Sequence, residues 1–280
     1  MIINIVLVVY NRDLARSETY RSLFESSNDF SDIKLIIYDN SRSGQKLSYS
    51  DSANISYLHD ASNSGLAAAY NYALSTIVDQ DDWMLLLDQD SKLPTDFIST
   101  LIETINGISD ESIVAIAPHI VCKNTFVSPL KVRFGGRLVV LPEQYTGASA
   151  VELMGINSGM AVRVSFMKQV GGFNQEFWLD YLDHWLCRTI YANGKKMYVS
   201  SSIVNHNLSV SNYNEVSEER ALNILKAELL FYRKYKSTAE QLVYLFRLIA
   251  RGIKQYINLK NKSISGYSLK AALSMAKKMI

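Results

Sequence analysis

The sequence has only two cysteines and four prolines in 280 residues. Two thiols, Cys122 and Cys187, are too few for a disulfide framework. Such a composition excludes a collagen-like or disordered chain. No uncharged apolar run approaches the roughly 18 residues of a membrane-spanning helix. Nothing at the start reads as a secretion signal, because Met1 to Tyr10 is apolar but short and has no basic residue ahead of it. Internal repeats and low-complexity tracts are also lacking. These absences point to a globular protein of the reducing cytosol.

Hydrophobic residues make up 48% and charged residues 20%. A chain of this length buries about 75% of its extended surface, so a large core is available. The net charge of +2 is unevenly placed. Residues 233–280 hold 11 Lys and Arg against one acid, Glu240, for a balance of +10, which leaves −8 for the rest. An acidic body with a basic tail implies two parts with different partners. From Leu242 to Ile257 the apolar residues Leu242, Leu245, Phe246, Ile249, Ile253, Tyr256 and Ile257 fall on one helical stripe, with Arg247, Arg251 and Lys254 on another side. That pattern fits an interfacial membrane helix or, more plainly, a helix packed on the body. Nucleic acid is a poor partner, since the tail lacks interleaved stacking aromatics.

Ile2 to Val9, Ile33 to Tyr38, Ile55 to Leu58 and Trp83 to Leu87 are apolar runs of the kind buried on both faces of a parallel sheet. The stretch ending near Ser26 and Leu66 to Val78 have helical spacing. Strands alternating with helices predict an α/β fold with a doubly wound, mostly parallel sheet. Further on, Ser112 to Ile120 and Val132 to Val140 read as strands and Glu176 to Asn193 as a helix.

In such sheets ligands gather at the carboxyl ends of the strands. Three polar clusters fall there: Tyr10-Asn11-Arg12, Asp39-Asn40-Ser41 and Asp88-Gln89-Asp90. Two carboxylates two residues apart at a strand end can share a hard cation such as Mg²⁺ or Mn²⁺ beside a diphosphate. Asn63-Ser64-Gly65, with Asn71 beyond, serves either to cap the following helix or to line a nucleotide site. Trp178-Leu179-Asp180-Tyr181-Leu182-Asp183 places two acids on one face of a predicted helix start, where the helix dipole also favours them. His184 and Trp185 follow. A carboxylate near an aromatic and away from bulk water can be tuned as a general base.

Seven pieces, VVYNR (8–12), YDNS (38–41), SNSGLAAAYNYAL (62–74), LLLDQDS (85–91), NSGM (157–160), VGGFNQEFWLDYLD (170–183) and NHNLS (205–209), resemble in order the motifs of family 2 glycosyltransferases of the GT-A fold. LLLDQDS and the D-Y-L-D pair are most similar to bacterial rhamnosyltransferases of O-antigen and other surface polysaccharides. The resemblance implies a GT-A domain over 1–210, with 1–91 as nucleotide-binding half and 92–210 as acceptor half, followed by amphipathic basic helices over 211–280. It implies that Tyr10, Asn11, Arg12, Asp39, Asn63, Gly65, Asn71, Asp88 and Gln89 line a sugar-nucleotide site, with Asp39 on the base. Asp88, Asp90 and His206 are then the expected ligands of a divalent cation. Asp183 matches the catalytic base, and Trp178, Asp180, His184 and Trp185 lie where the acceptor is expected. Two departures stand out: Trp185 occupies the place of a usual acid, and Arg188 comes one residue early.

The implied activity is inverting transfer of a sugar, rhamnose from dTDP-rhamnose or a hexose from a UDP-sugar. The implied acceptor is a lipid-linked saccharide at the cytosolic face of the inner membrane, to which 237–280 would adhere through anionic lipids. A nucleotidylyltransferase is disfavoured because Tyr10-Asn11-Arg12-Asp13 replaces a glycine-rich phosphate loop. A non-catalytic scaffold is disfavoured because Asp88, Asp90 and Asp183 are all present.

Overall fold

The computed structural model describes residues 2–26, 33–46, 54–206, 216–259 and 261–279. Of the motif at 205–209, Asn207, Leu208 and Ser209 lie outside the described residues, as does the predicted start of the C-terminal helices at 211. The elements run β1 (Ile3–Val9), α1 (Glu18–Ser26), β2 (Ile33–Asp39), β3 (Ile55–His59), α2 (Gly65–Thr76), β4 (Trp83–Asp88), β5 (Ser91–Lys92), α3 (Phe97–Gly107), β6 (Ile113–Cys122), β7 (Thr125–Ser128), β8 (Leu130–Arg133), β9 (Arg137–Val140), β10 (Gly147–Ser149), β11 (Leu153–Met154), β12 (Met160–Arg163), α4 (Val164–Gln169), α5 (Leu182–Ala192), β13 (Lys196–His206), α6 (Glu218–Tyr235), α7 (Thr238–Asn258) and α8 (Lys262–Met279).

The fold is α/β, with a mostly parallel central sheet flanked by helices, in the order β10-β13-β6-β12-β4-β1-β2-β3. Strands β1 to β4 are mutually parallel. In β1, β2 and β4 β-branched and leucine side chains fill both buried faces, whereas β3, at the sheet edge, is only partly buried. Their register is tight: Val8 lies opposite Asp88, Val9 opposite Asp39, and Asp39 opposite His59. The polar strand ends therefore share one edge. Two strands of this order run antiparallel to their neighbours: β10 against β13 at the edge, and β12, which slots between β4 and β6 with Met160 opposite Leu86 and Ala161 opposite Ile116. Short β5 and β7 pair with β13 and β6, and a separate sheet runs β11-β8-β9.

The chain forms two compact units, Met1–Lys131 with Val139–Asn207, and Val132–Leu138 with Leu208–Ile280. In the second unit α7 begins with a capping box in which Ser237 and Glu240 satisfy each other's backbone amides. Its inner face packs on α8, and Gly252 lets the helices close: a Cβ there would lie 2.7 Å from Leu269 Cδ2. Arg251 donates two hydrogen bonds, 3.2 and 2.6 Å, to the buried carboxylate of Glu228 on α6. The rings of Tyr232 and Tyr244 stack at 3.7 Å.

Three sequence expectations change. The predicted strand Val132–Val140 is broken by a turn at Phe134–Gly136, because Gly135 and Gly136 take φ of 70° and 73°. The predicted helix from Glu176 starts only at Leu182; before it come a 3₁₀ turn and Tyr181 in the left-handed region at φ 64°. Asp180 and Asp183 thus do not share a helix face. In α7, Leu245 is buried whereas the rest of the predicted stripe is exposed.

Candidate active site

Two strand pairings converge on Asp88 at the end of β4. The antiparallel register of β12 with β4 sets Met160 against Leu86, so continuing it by two residues brings Ser158 opposite Asp88. The Gly159 amide donates 2.8 Å to the Leu86 carbonyl and holds that turn. Ser158 Oγ then donates to Asp88 Oδ2. From the other side, β5 pairs Ser91 with His206 of β13. Ser91 Oγ donates to Asp88 Oδ1 at 2.8 Å and lies 2.9 Å from His206 Nδ1. Both oxygens of Asp88 are therefore held by serine hydroxyls.

Asp90 completes the cluster. His206 Nδ1 lies 3.7 Å from Asp88 Oδ1 and 3.7 Å from Asp90 Oδ1, and the His206 side chain is nearly buried while the two acids are about a quarter exposed (29% and 24%). Ligand atoms of Asp88, Asp90 and His206 lie within 4.8 Å of one another. Burial and the neighbouring charge of Asp88 push the Asp90 carboxyl up to about 6, against the opposing pull of His206 and Arg12. Two hard carboxylates and one imidazole in this spacing suit a divalent cation of the Mg²⁺ or Mn²⁺ type.

The middle residue of the triplet has a different task. Gln89 Oε1 accepts from the Tyr10 amide at 2.9 Å and its Nε2 donates to the Tyr10 carbonyl, which ties the ends of β4 and β1 together. Asp39 is fully buried. Its Oδ1 accepts from the Ser41 amide, and its Oδ2 from Tyr57 Oη at 2.7 Å and Gln45 Nε2 at 3.1 Å. Gln45 also donates to the Arg12 carbonyl and accepts from the Leu14 amide, both at 2.8 Å. These bonds shape an open cleft of about 490 Å³ lined by Asn11, Arg12, Asp13, Arg42 and Lys46, with Ser41 at its edge. The Asn11 amide donates 2.8 Å to Ser41 Oγ.

Asn63 lies in the left-handed region at φ 53° in a turn organised by Asp60. Burial raises the Asp60 carboxyl, but the hydroxyls and amides of Ser62 and Ser64 prevail and hold it below the usual carboxylate range. Neither Asn63 nor Ser64 caps α2 through its side chain. Instead the Trp178 carbonyl accepts from the Ala67 amide at 3.3 Å. Gly65, at φ +86°, allows this approach: a Cβ there would sit 2.3 Å from that carbonyl oxygen. Asn71 spends its amide on the backbone of Phe173, donating at 2.8 Å and accepting at 2.7 Å.

Asp183 opens α5, and its Oδ1 accepts from the His184 amide at 2.8 Å. The fully buried Tyr70 phenol is raised well above its ordinary range by burial, and further by the charges of Asp88 and Asp183. Trp178 is exposed at 40%, Asp180 precedes α5, and the His184 ring stacks on Tyr181 at 4.3 Å. Trp185 is turned inward instead: it is buried and lies 6.4 Å from the Phe173 ring. Arg188 pairs with Glu152 at 3.1 Å.

The glycosyl transferase family 2 profile matches residues 4–162, from β1 to the end of β12. The chain belongs to glycosyl transferase family 2. As a family 2 glycosyltransferase it has an architecture of the GT-A type. Its fold resembles that of S. aureus TarS, with a TM-score of 0.56 at 13% identity, covering all of this chain and 55% of that one. Against the 1–349 portion of TarS in complex with UDP-GlcNAc the TM-score is 0.56 at 12% identity, with 90% of that chain covered. A complex of the same portion with UDP gives the same likeness. The chain thus spans little more than half of the longer TarS chain. No curated protein matches this family 2 member in sequence.

Ser91, Ser158 and Gln45 were not among the expected site residues. Ser158 lies within the NSGM motif, but its place opposite Asp88 follows from a strand pairing across about seventy residues of chain. Nothing local in the sequence marks Gln45.

Proposed function

We propose that this protein is a metal-dependent, inverting glycosyltransferase that moves a sugar from a nucleoside diphosphate to a lipid-linked glycan in bacterial surface polysaccharide synthesis. The observation that carries the reading is the Asp88-Asp90-His206 cluster on the same sheet edge as the 490 Å³ cleft. The catalytic domain would be 1–210, with 1–91 holding the donor and 92–210 the acceptor, and 211–280 appended.

In this reading Asn11, Arg12 and the cleft receive the nucleotide, and Arg12, whose charge reaches Asp90, faces the phosphates. Asp88, Asp90 and His206 would hold a divalent cation, which when bound neutralises charge on the departing diphosphate. Asp183 takes the proton of the acceptor hydroxyl as that oxygen bonds to the anomeric carbon and the carbon–phosphate oxygen bond breaks on the far side. A single displacement inverts the centre. Trp178, Asp180 and His184 would flank the acceptor. Asp39, Gln45, Gln89, Asn63, Gly65 and Asn71 act by holding the loops around the donor.

For the donor, the LLLDQDS and D-Y-L-D motifs favour dTDP-rhamnose, whereas the fold likeness to TarS, solved with UDP-GlcNAc, favours a UDP-hexose. The lipid-linked acceptor would bring the enzyme to the cytosolic face of the inner membrane, with 237–280 as the adhering part.

The test is a thermal-unfolding panel with dTDP-rhamnose, UDP-glucose, UDP-galactose, UDP-N-acetylglucosamine and GDP-mannose, each with and without Mn²⁺ or Mg²⁺. A donor at 100 times its dissociation constant stabilises the fold by about 2.7 kcal/mol. One nucleotide giving a metal-dependent shift supports the reading and names the donor. No shift with any donor refutes it.

A further inference from the structure

Helix α7 has two apolar faces, and only one of them is covered. Tyr244, Leu245, Leu248 and Gly252 are buried against the rest of their unit. On the adjoining side Leu242, Phe246, Ile249, Ile253, Tyr256 and Ile257 are between 37% and 71% exposed. Their spacing of four, three, four, three and one keeps them on one stripe four turns long. A soluble helix normally shows charge there, so an exposed stripe of this length marks a contact surface.

The rim of the stripe tells what it meets. Residues 241–280 contain eight Lys and Arg and no Asp or Glu. Arg247 and Lys254 flank one side, and Lys262 stands 5.2 Å over the Tyr256 ring while donating to the Tyr256 carbonyl. The turn at Phe134–Gly136 lies against the same helix, with Gly135 close to Val243. It adds Phe134, 70% exposed, between exposed Arg133 and Arg137. A second copy of the chain is a poor occupant, because Arg247, Lys254 and Lys262 on one copy would repel the same residues on the other. An anionic surface with an apolar interior meets both the stripe and its rim. No helix among the described residues is long and apolar enough to cross a bilayer, so the contact would be in the plane of the interface.

We infer that the outward face of α7, with the Phe134 turn beside it, inserts into the headgroup region of an anionic phospholipid bilayer. This deepens the membrane part of the proposed function by naming the inserting face and separating it from the packed one. The apolar stripe supplies insertion, and Arg247, Lys254 and Lys262 supply the attraction to phosphate headgroups. Tyr256, at the end of the stripe under an ammonium, suits the boundary between acyl chains and headgroups.

The experiment is sedimentation of the full chain with large vesicles of phosphatidylcholine, and of phosphatidylcholine with about one third phosphatidylglycerol. Wild type should partition onto the anionic vesicles at least about tenfold more strongly, and added salt should weaken the binding. Phe246→Ser with Ile253→Ser should lower that partition about tenfold, as should Arg247→Gln with Lys254→Gln, while Val78→Ser, an exposed apolar change in the other unit, should leave it unchanged. Equal binding to neutral vesicles, or no loss in the Phe246/Ile253 variant, overturns the inference. So does a wild-type dimer in velocity sedimentation that the same variant dissociates, since the stripe would then belong to a second copy. The donor-induced thermal shift is measured on the same samples. A wild type that binds anionic vesicles but no donor defeats the transferase reading and leaves the membrane face standing.

Discussion

Replacing Ser158 by alanine removes one hydroxyl from a nearly buried position and should weaken the cation site far more than the fold. The hydroxyl donates to Asp88 Oδ2, and Ser91 holds only the other oxygen. A hydrogen bond to a charged group is worth about 1.5–3 kcal/mol, and loss of such supporting partners lowers metal affinity about 10–100-fold. With 1.4 kcal/mol per factor of ten the two estimates agree. The fold should lose less than about 1 kcal/mol, because Asp88 is partly exposed and water can replace the lost donor. The turn itself is held by Gly159 and the β12 register, which do not involve the side chain. Mn²⁺ binding is read from the electron paramagnetic resonance signal of the free ion, with and without a nucleoside diphosphate. The dissociation constant should rise at least tenfold, and saturating Mn²⁺ should restore transfer. An affinity within about twofold of wild type, or an activity loss that excess metal does not repair, refutes the reasoning.

Asp183→Asn should abolish sugar transfer while the donor-induced thermal shift stays as in wild type; normal turnover would remove Asp183 from the role of base. Burial and Asp88 raise the Asp90 carboxyl to about 6, so below that pH a bound proton must leave before a cation enters. Apparent Mn²⁺ affinity should then fall about tenfold per pH unit below 6 and be flat above it, and calorimetry showing the same affinity on both sides would contradict this. Gly65→Ala places a methyl 2.3 Å from the Trp178 carbonyl at a positive φ. Left-handed strain of about 1–2 kcal/mol plus the lost Ala67 bond of about 1 kcal/mol predict a loss above 2 kcal/mol in urea unfolding. A change under 0.5 kcal/mol would show that the two segments are not locked together.

The parallel half was legible because β1, β2 and β4 are apolar runs buried on both faces, and such runs admit few other placements. Their polar ends located the cluster at Asp88 and Asp90. Other features depended on contacts that a local reading does not contain. The β12 segment Met-Ala-Val-Arg is too short to declare itself, and with it Ser158 was missed. No glycine or proline marks the left-handed Tyr181, so Asp180 read as helical. Helical period placed Leu242 and Leu245 on one stripe, yet only the packing of α8 decides which of them faces inward. The doublet Gly135-Gly136 was the one overlooked local signal, for it does announce the break between β8 and β9.

The insertion of β12 between β4 and β6 has a consequence for synthesis. When β1 to β4 leave the ribosome, the partner that closes the edge of β4 is still about seventy residues away, on the order of ten seconds at ~5–20 residues per second. For that interval the Met84–Leu87 backbone is an open apolar edge, the kind that pairs with other nascent chains. Yield of native enzyme should therefore depend on what shields that edge during translation, and a slow stretch of codons between 90 and 160 should send more of the protein into aggregates.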